Sequence, residues 1–81
     1  MTEPKYIKFI EAPRLSPKTK RWLVRAKEGG LIGEIKWYWS WRQYSFFPMS
    51  GTVFEKTCLK DIANFCEEQT RQQRHGEKQT Q

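Results

Sequence analysis

The stretch Arg21-Trp22-Leu23-Val24-Arg25-Ala26-Lys27-Glu28-Gly29-Gly30-Leu31-Ile32-Gly33-Glu34-Ile35-Lys36-Trp37-Tyr38 decides the fold. In an extended chain Trp22, Val24 and Ala26 project to one side and Arg21, Leu23, Arg25 and Lys27 to the other. Glu28-Gly29-Gly30 then supplies residues that tolerate positive φ, as a tight turn requires. Beyond it Leu31, Gly33, Ile35 and Trp37 form a second apolar side, opposed by Ile32, Glu34, Lys36 and Tyr38. The pattern predicts two half-buried antiparallel strands whose outer face is mainly cationic.

Working outward, residues 5–11 have the β-branched and aromatic composition of a short edge strand, and Pro13 and Pro17 bracket an irregular segment over 12–19. Downstream, Trp39-Ser40-Trp41 reads as a turn into a fourth strand over 42–47, with residue types that call for a bulge or a longer loop. That strand's parity is open, because Tyr44 and Phe46 lie on one side and Phe47 on the other with Gln43 and Ser45. Pro48, Ser50 and Gly51 end it.

Thr52 and Glu55 have capping-box spacing, which places a helix start near Val53. Phe54, Cys58, Ile62, Phe65 and Cys66, with Leu59 beside them, recur at three- and four-residue intervals as one apolar stripe. Packing support ends near Cys66, so the helix is expected to fray after about Gln69 and residues 76–81 to be disordered. The fold class is therefore α+β: a small antiparallel sheet of three to four strands packed on one C-terminal helix, in the order ββββα. Residues 1–70 form a single domain and residues 71–81 a frayed or disordered polar tail. The core combines the helix stripe with Trp22, Val24, Leu31, Ile35, Trp37 and one or two rings of the last strand.

A chain of 81 residues has room for one domain with a small core. Its net charge of +6 is unevenly placed: residues 1–50 carry ten Lys/Arg and four Asp/Glu, residues 51–81 five of each. Arg14, Lys18, Lys20, Arg21, Arg25 and Lys27 follow one another without an acid among them. Such a run attracts phosphates, or is a solvated basic strand. Seven of the twelve aromatic rings fall between Ile35 and Pro48, more than one sheet face can hide.

No catalytic constellation is visible. His75, the sole histidine, falls in the polar tail, and Glu34 is the only acid between Gly29 and Gly51. Cys58 and Cys66, eight residues apart on one helix, would be separated by about 12 Å along its axis, too far to bridge. They are read as reduced helix residues, which fits a cytoplasmic setting. No metal, cofactor or membrane span is expected. Two non-enzymatic readings remain. In the first, a basic and aromatic sheet face binds DNA or RNA through Arg21, Arg25, Lys27, Lys36, Tyr38 and Arg42, with Tyr44 a further candidate for that face. In the second, the domain is a homodimer or protein-interaction module anchored by Trp39, Trp41 and Phe47.

Gly33-Glu34-Ile35-Lys36-Trp37-Tyr38, Trp41-Arg42-Gln43-Tyr44-Ser45-Phe46-Phe47-Pro48 and Thr52-Val53-Phe54-Glu55-Lys56-Thr57-Cys58-Leu59-Lys60-Asp61-Ile62 resemble a pattern in short uncharacterised proteins of bacteriophages and other bacterial mobile elements. The resemblance covers about residues 20–70 and implies a phage or prophage setting, with no functional residues to carry over. In strand order alone the chain is also similar to the arm-type DNA-binding domains of tyrosine integrases, a likeness of topology without a shared motif.

Overall fold

The computed structural model describes residues 6–79. In chain order these form β1 (Ile7–Ser16), β2 (Thr19–Ala26), β3 (Leu31–Tyr38), β4 (Gln43–Pro48) and α1 (Lys56–Gln79). The strands make one antiparallel sheet in sequence order, with β1 and β4 at its edges. The single helix packs on one face, giving the ββββα architecture that the alternation and the stripe predict. Both the β1–β2 and the β3–β4 turns lie at one end of the sheet, and α1 starts at the other end and runs towards them.

The core is aromatic because so short a chain must obtain its burial from few side chains. Ile7, Trp22, Val24, Ile35, Trp37, Tyr44 and Ile62 are buried together, with Phe9, Phe46, Phe54 and Phe65 packed around them. Phe65 of α1 stacks on Phe9 at 4.0 Å and meets Trp22 edge-on at 5.0 Å, so one helix side chain ties the first two strands. Gly33 is small for a stated reason. A Cβ there would lie 2.5 Å from Cε1 of Phe46 and 2.7 Å from the Phe47 carbonyl oxygen. The Phe46 ring rests in that space and meets Phe54 edge-on at 5.3 Å, which anchors the segment leading into α1.

The structure departs from the sequence expectations at several places. β1 continues to Ser16, because Pro13 sits in an edge strand where a missing N–H is tolerated, and a register shift between Ala12 and Ser16 absorbs the irregularity. On β3, Val24 pairs with Gly33 but Arg25 pairs with Leu31, leaving Ile32 as the extra residue of a bulge. The bulge exchanges two side chains: Leu31, expected in the core, is 36% exposed on the outer side, and Ile32 packs against the core. Tyr44, a candidate for the outer face, is a core residue at 3% exposure.

The helix cap also moves. Thr52 Oγ1 donates to the Met49 carbonyl at 2.8 Å, and Glu55 caps α1 by accepting from the Cys58 amide at 2.7 Å. Backbone amides of Thr57 and Cys58 hold the Glu55 carboxyl below its ordinary range. Residues 53–55 stay non-helical, which lets Phe54 reach Phe46. At its far end α1 passes the boundary at residue 70 and stays helical to Gln79. Polar contacts replace the missing apolar stripe there: Gln73 Nε2 donates to the Lys18 carbonyl at 2.9 Å and Arg74 Nη2 to the Arg42 carbonyl at 2.7 Å. Residues 80–81 of the expected tail lie outside the described residues.

Replacing Gly33 with Ala should destabilise the domain by about 1–3 kcal/mol, because backbone as well as a ring must yield, and a urea titration would measure it. Ile62→Ala should cost about 2–5 kcal/mol, while Leu59→Ala, at a site 50% exposed, should change stability by no more than about 0.5 kcal/mol. Equal effects at both positions would refute this placement of the helix.

Candidate functional site

Because α1 covers one face, the other is formed by the side chains of opposite parity. Register places Lys8, Ile10 and Ala12 of β1 opposite Arg25, Leu23 and Arg21 of β2. It places Arg21, Leu23 and Arg25 opposite Lys36, Glu34 and Leu31 of β3, and Glu34, Lys36 and Tyr38 opposite Phe47, Ser45 and Gln43 of β4. Two pairs of like charges thus stand directly opposed, Lys8 with Arg25 and Arg21 with Lys36. Directly opposed cations destabilise a strand pair.

One carboxylate serves the second pair. Glu34 Oε2 accepts from Arg21 Nε at 2.8 Å, and Glu34 Oε1 lies 3.3 Å from Lys36 Nζ. The hydrogen bond from Arg21, assisted by Lys36, holds the Glu34 carboxyl below the ordinary carboxylate range. Lys8 and Arg25 have no such partner among the described residues. The face therefore keeps a positive balance of four cations to one acid, with that acid on Arg21 and Lys36 and away from Lys8 and Arg25.

Rings extend from this face to the turn end. Tyr38, 37% exposed, meets Trp41 edge-on at 4.8 Å and Phe47 at 6.1 Å, and Lys36 Nζ stands 4.7 Å from the Phe47 centroid. Trp39 turns the other way, edge-on to buried Trp37 at 6.0 Å. Trp39 and Trp41 remain 60% and 64% exposed. Arg42 closes the turn with a φ of 55°, in the left-handed region that favours glycine.

Of the six residues singled out for nucleic-acid contact, the structure brings Arg21, Arg25, Lys36 and Tyr38 onto one face. Lys27 and Arg42 stand apart. Lys27 follows β2 in the turn at one end, its amide donating to the Tyr6 carbonyl, and Arg42 lies in the turn at the opposite end. Eight strand residues separate those ends by about 26 Å. Of the three interface candidates, Phe47 and Trp41 border the open face and Trp39 lies towards the core side. Lys8 was missed, although the parity of Ile7 and Phe9 would have placed it beside Arg25. Arg74 was missed because its tie is to a backbone carbonyl, which no side-chain pattern announces.

An open groove runs between the start of β4 and α1, lined by Gln43, Tyr44, Cys66, Thr70, Arg71 and Arg74. Arg71 there is paired with Glu68. Burial pushes the Cys66 thiol up to about 11, so it is a thiol and not a thiolate at neutral pH. Among the described residues no group of His, Cys, Asp or Glu is placed to hold a metal ion, and no helix is long and apolar enough to cross a membrane.

Glu34 generates a pH prediction. Its folded pKa lies below the unfolded value of about 4.3, so its stabilisation is complete above that pH and is lost as acid titrates it through the lowered value. Glu34→Gln should flatten the acid limb of a stability–pH curve measured by urea midpoints, and at neutral pH should cost about 0–1 kcal/mol.

No protein-family model and no solved structure matches the chain. It is 33% identical over 61 residues to the "Uncharacterized 9.3 kDa protein" of Acholeplasma phage L2, an alignment covering 74% of this chain and 78% of the phage protein. The resemblance to short phage proteins thus has a definite counterpart, and at this identity and coverage the chain belongs to the family of that phage protein.

Proposed function

We propose that the domain is a non-enzymatic nucleic-acid-binding module that uses the open sheet face. The observation that carries this reading is the pair of opposed cation couples, Lys8 with Arg25 and Arg21 with Lys36, on a face the helix leaves bare. Such an arrangement lowers the stability of the free sheet and is offset when a polyanion supplies the missing counter-charge. The distribution of charge supports it. Residues 6–51 carry nine Lys/Arg and three Glu, while residues 55–75 carry four cations and four acids, so the excess belongs to the strands and their turns. Binding is favoured over catalysis because the acid on this face is engaged with two cations and the Cys66 thiol is held protonated. A phage or prophage setting and a cytoplasmic location belong to the same reading.

A second reading has its own observation. Ile10, Leu23, Leu31 and Phe47 lie among the cations, with Ile10 39% exposed, and such side chains suit a protein partner or a second copy of the chain, with Trp39 and Trp41 at the rim. A dimer mass in light scattering, with no shift of random DNA or RNA at low salt, would favour this second reading.

The first reading predicts opposite effects from neighbouring substitutions. Arg25→Ala and Lys36→Ala should each weaken nucleic-acid binding and make the slope of log affinity against log salt shallower by about 0.7–0.9. Glu34→Gln, which removes the acid from the same face, should strengthen binding. Filter binding over a salt series reads all three, and affinities unchanged in every variant would exclude this face.

A further inference from the structure

We infer that the turn over residues 39–42 is a base-stacking platform and that the domain selects single-stranded over double-stranded nucleic acid. This rests on the proposed nucleic-acid reading and adds to it the class of ligand. The juxtaposition of two exposed indoles with the cations of both turns at one end of the sheet points to it.

The residue types of this turn are poor ones for a hairpin. Trp39-Ser40-Trp41-Arg42 contains none of the Gly, Asn or Asp residues that ease a hairpin, and Arg42 takes the conformation in which glycine would be at rest. Two of the four tryptophans, Trp22 and Trp37, are buried at 6% exposure, while Trp39 and Trp41 remain outside. Where a strained Arg and two largely exposed indoles stand in place of easy turn residues, function is the usual reason.

The geometry suits stacking. Trp41 is held against Tyr38 at an interplanar angle of 80° and Trp39 against Trp37 at 73°, perpendicular contacts that fix each indole without a parallel ring covering it. A duplex hides the faces of its bases against one another, whereas an unpaired base can lie on an indole. The cations for the flanking phosphates are at the same end: Arg42 in this turn, Lys18 in the β1–β2 turn and Lys20 just after it. Both turns are fixed beforehand, since Arg74 holds the Arg42 carbonyl and Gln73 the Lys18 carbonyl. Little ordering entropy remains to oppose binding. From Trp41 the rings continue through Tyr38 to Phe47 beneath Lys36, which leads a strand from the turn onto the cationic face.

The test titrates the full chain, at low and moderate salt, with an unstructured oligothymidylate of about 4–16 nucleotides and with a hairpin duplex of equal charge. Because Trp22 and Trp37 are buried, quenching of tryptophan fluorescence reports Trp39 and Trp41. The expected result is tighter binding and stronger quenching with oligothymidylate than with duplex. Trp39→Ala and Trp41→Ala should each lower that affinity about 5- to 100-fold with an unchanged salt slope, while Trp39→Phe and Trp41→Phe keep most of it. The near-ultraviolet dichroism of buried Trp22 and Trp37 verifies the fold of each variant. Duplex bound as tightly as the single strand, or alanine variants that bind as the parent does, would overturn the platform and leave the polyanion reading standing. No binding of either ligand at low salt would remove both.

Discussion

Tyr44 is the side chain through which the sheet, the helix and the turn end are joined. It is buried at the start of the edge strand β4, with Trp22 and Trp37 each meeting it edge-on at 5.1 Å. Its amide donates to Thr70 Oγ1 at 2.9 Å, and its hydroxyl accepts from the Lys20 amide at 2.9 Å and donates to Gln73 Oε1 at 3.1 Å. One residue therefore connects β4, β2 and the polar half of α1. A phenol suits this position because its body is apolar enough for the core and its tip reaches two polar partners. Without those bonds, the amides of Tyr44 and Lys20 would lose their partners at a part-buried site, where an unmade hydrogen bond costs more than a made one contributes.

Through this joint the helix reaches the turns, and the rest of the surface follows from its being a single helix. About ten ångströms of diameter cover one face of a four-stranded sheet and leave the other bare. The bare face must hold whatever has the wrong parity for the core, here four cations, one acid and several apolar side chains. The same restriction accounts for the exposure of Trp39, since the core side at the turn end is already filled by Trp37 and Tyr44, while Trp41 borders the face that the helix leaves uncovered.

Much of this was legible in the sequence wherever a strict period ran uninterrupted. Trp22 and Val24, Ile35 and Trp37, and Cys58 to Cys66 announced two strands and a helix, and Arg21, Arg25 and Lys36 fell on the outer face by parity alone. Legibility failed where one residue changed the count or a polar bond replaced an apolar one. The bulge at Ile32 inverts Leu31 although both residues are equally apolar, so nothing in their types betrays it. Pro17 does lie in the β1–β2 turn, but Pro13 read as a breaker because an edge strand cannot be told from a loop before its partner is known. The capping-box spacing put the cap at Thr52, whereas Glu55 takes that position and residues 53–55 stay non-helical, with Phe54 against Phe46. The docked end of α1 was illegible for a related reason: Thr70, Gln73 and Arg74 act on backbone groups of a distant strand and two distant turns and have no periodic signature.

Glu34 shows how such a face can be both stable and receptive. In the free protein the carboxylate lies between Arg21 and Lys36 and relieves the repulsion of two cations opposed across β2 and β3. The relief is small, because each group keeps about a quarter to a third of its surface in water and solvent screens the pair. A bound phosphate at this point would meet the same carboxylate as a repulsive neighbour. The two cation couples are therefore unequal on the proposed reading: Arg21 and Lys36 share a carboxylate, whereas Lys8 and Arg25 have no carboxylate partner among the described residues. The Coulomb term then favours first contact at Lys8 and Arg25 and settlement along the rings towards Tyr38, since attraction acts over a Debye length of about 8–10 Å and stacking only on contact.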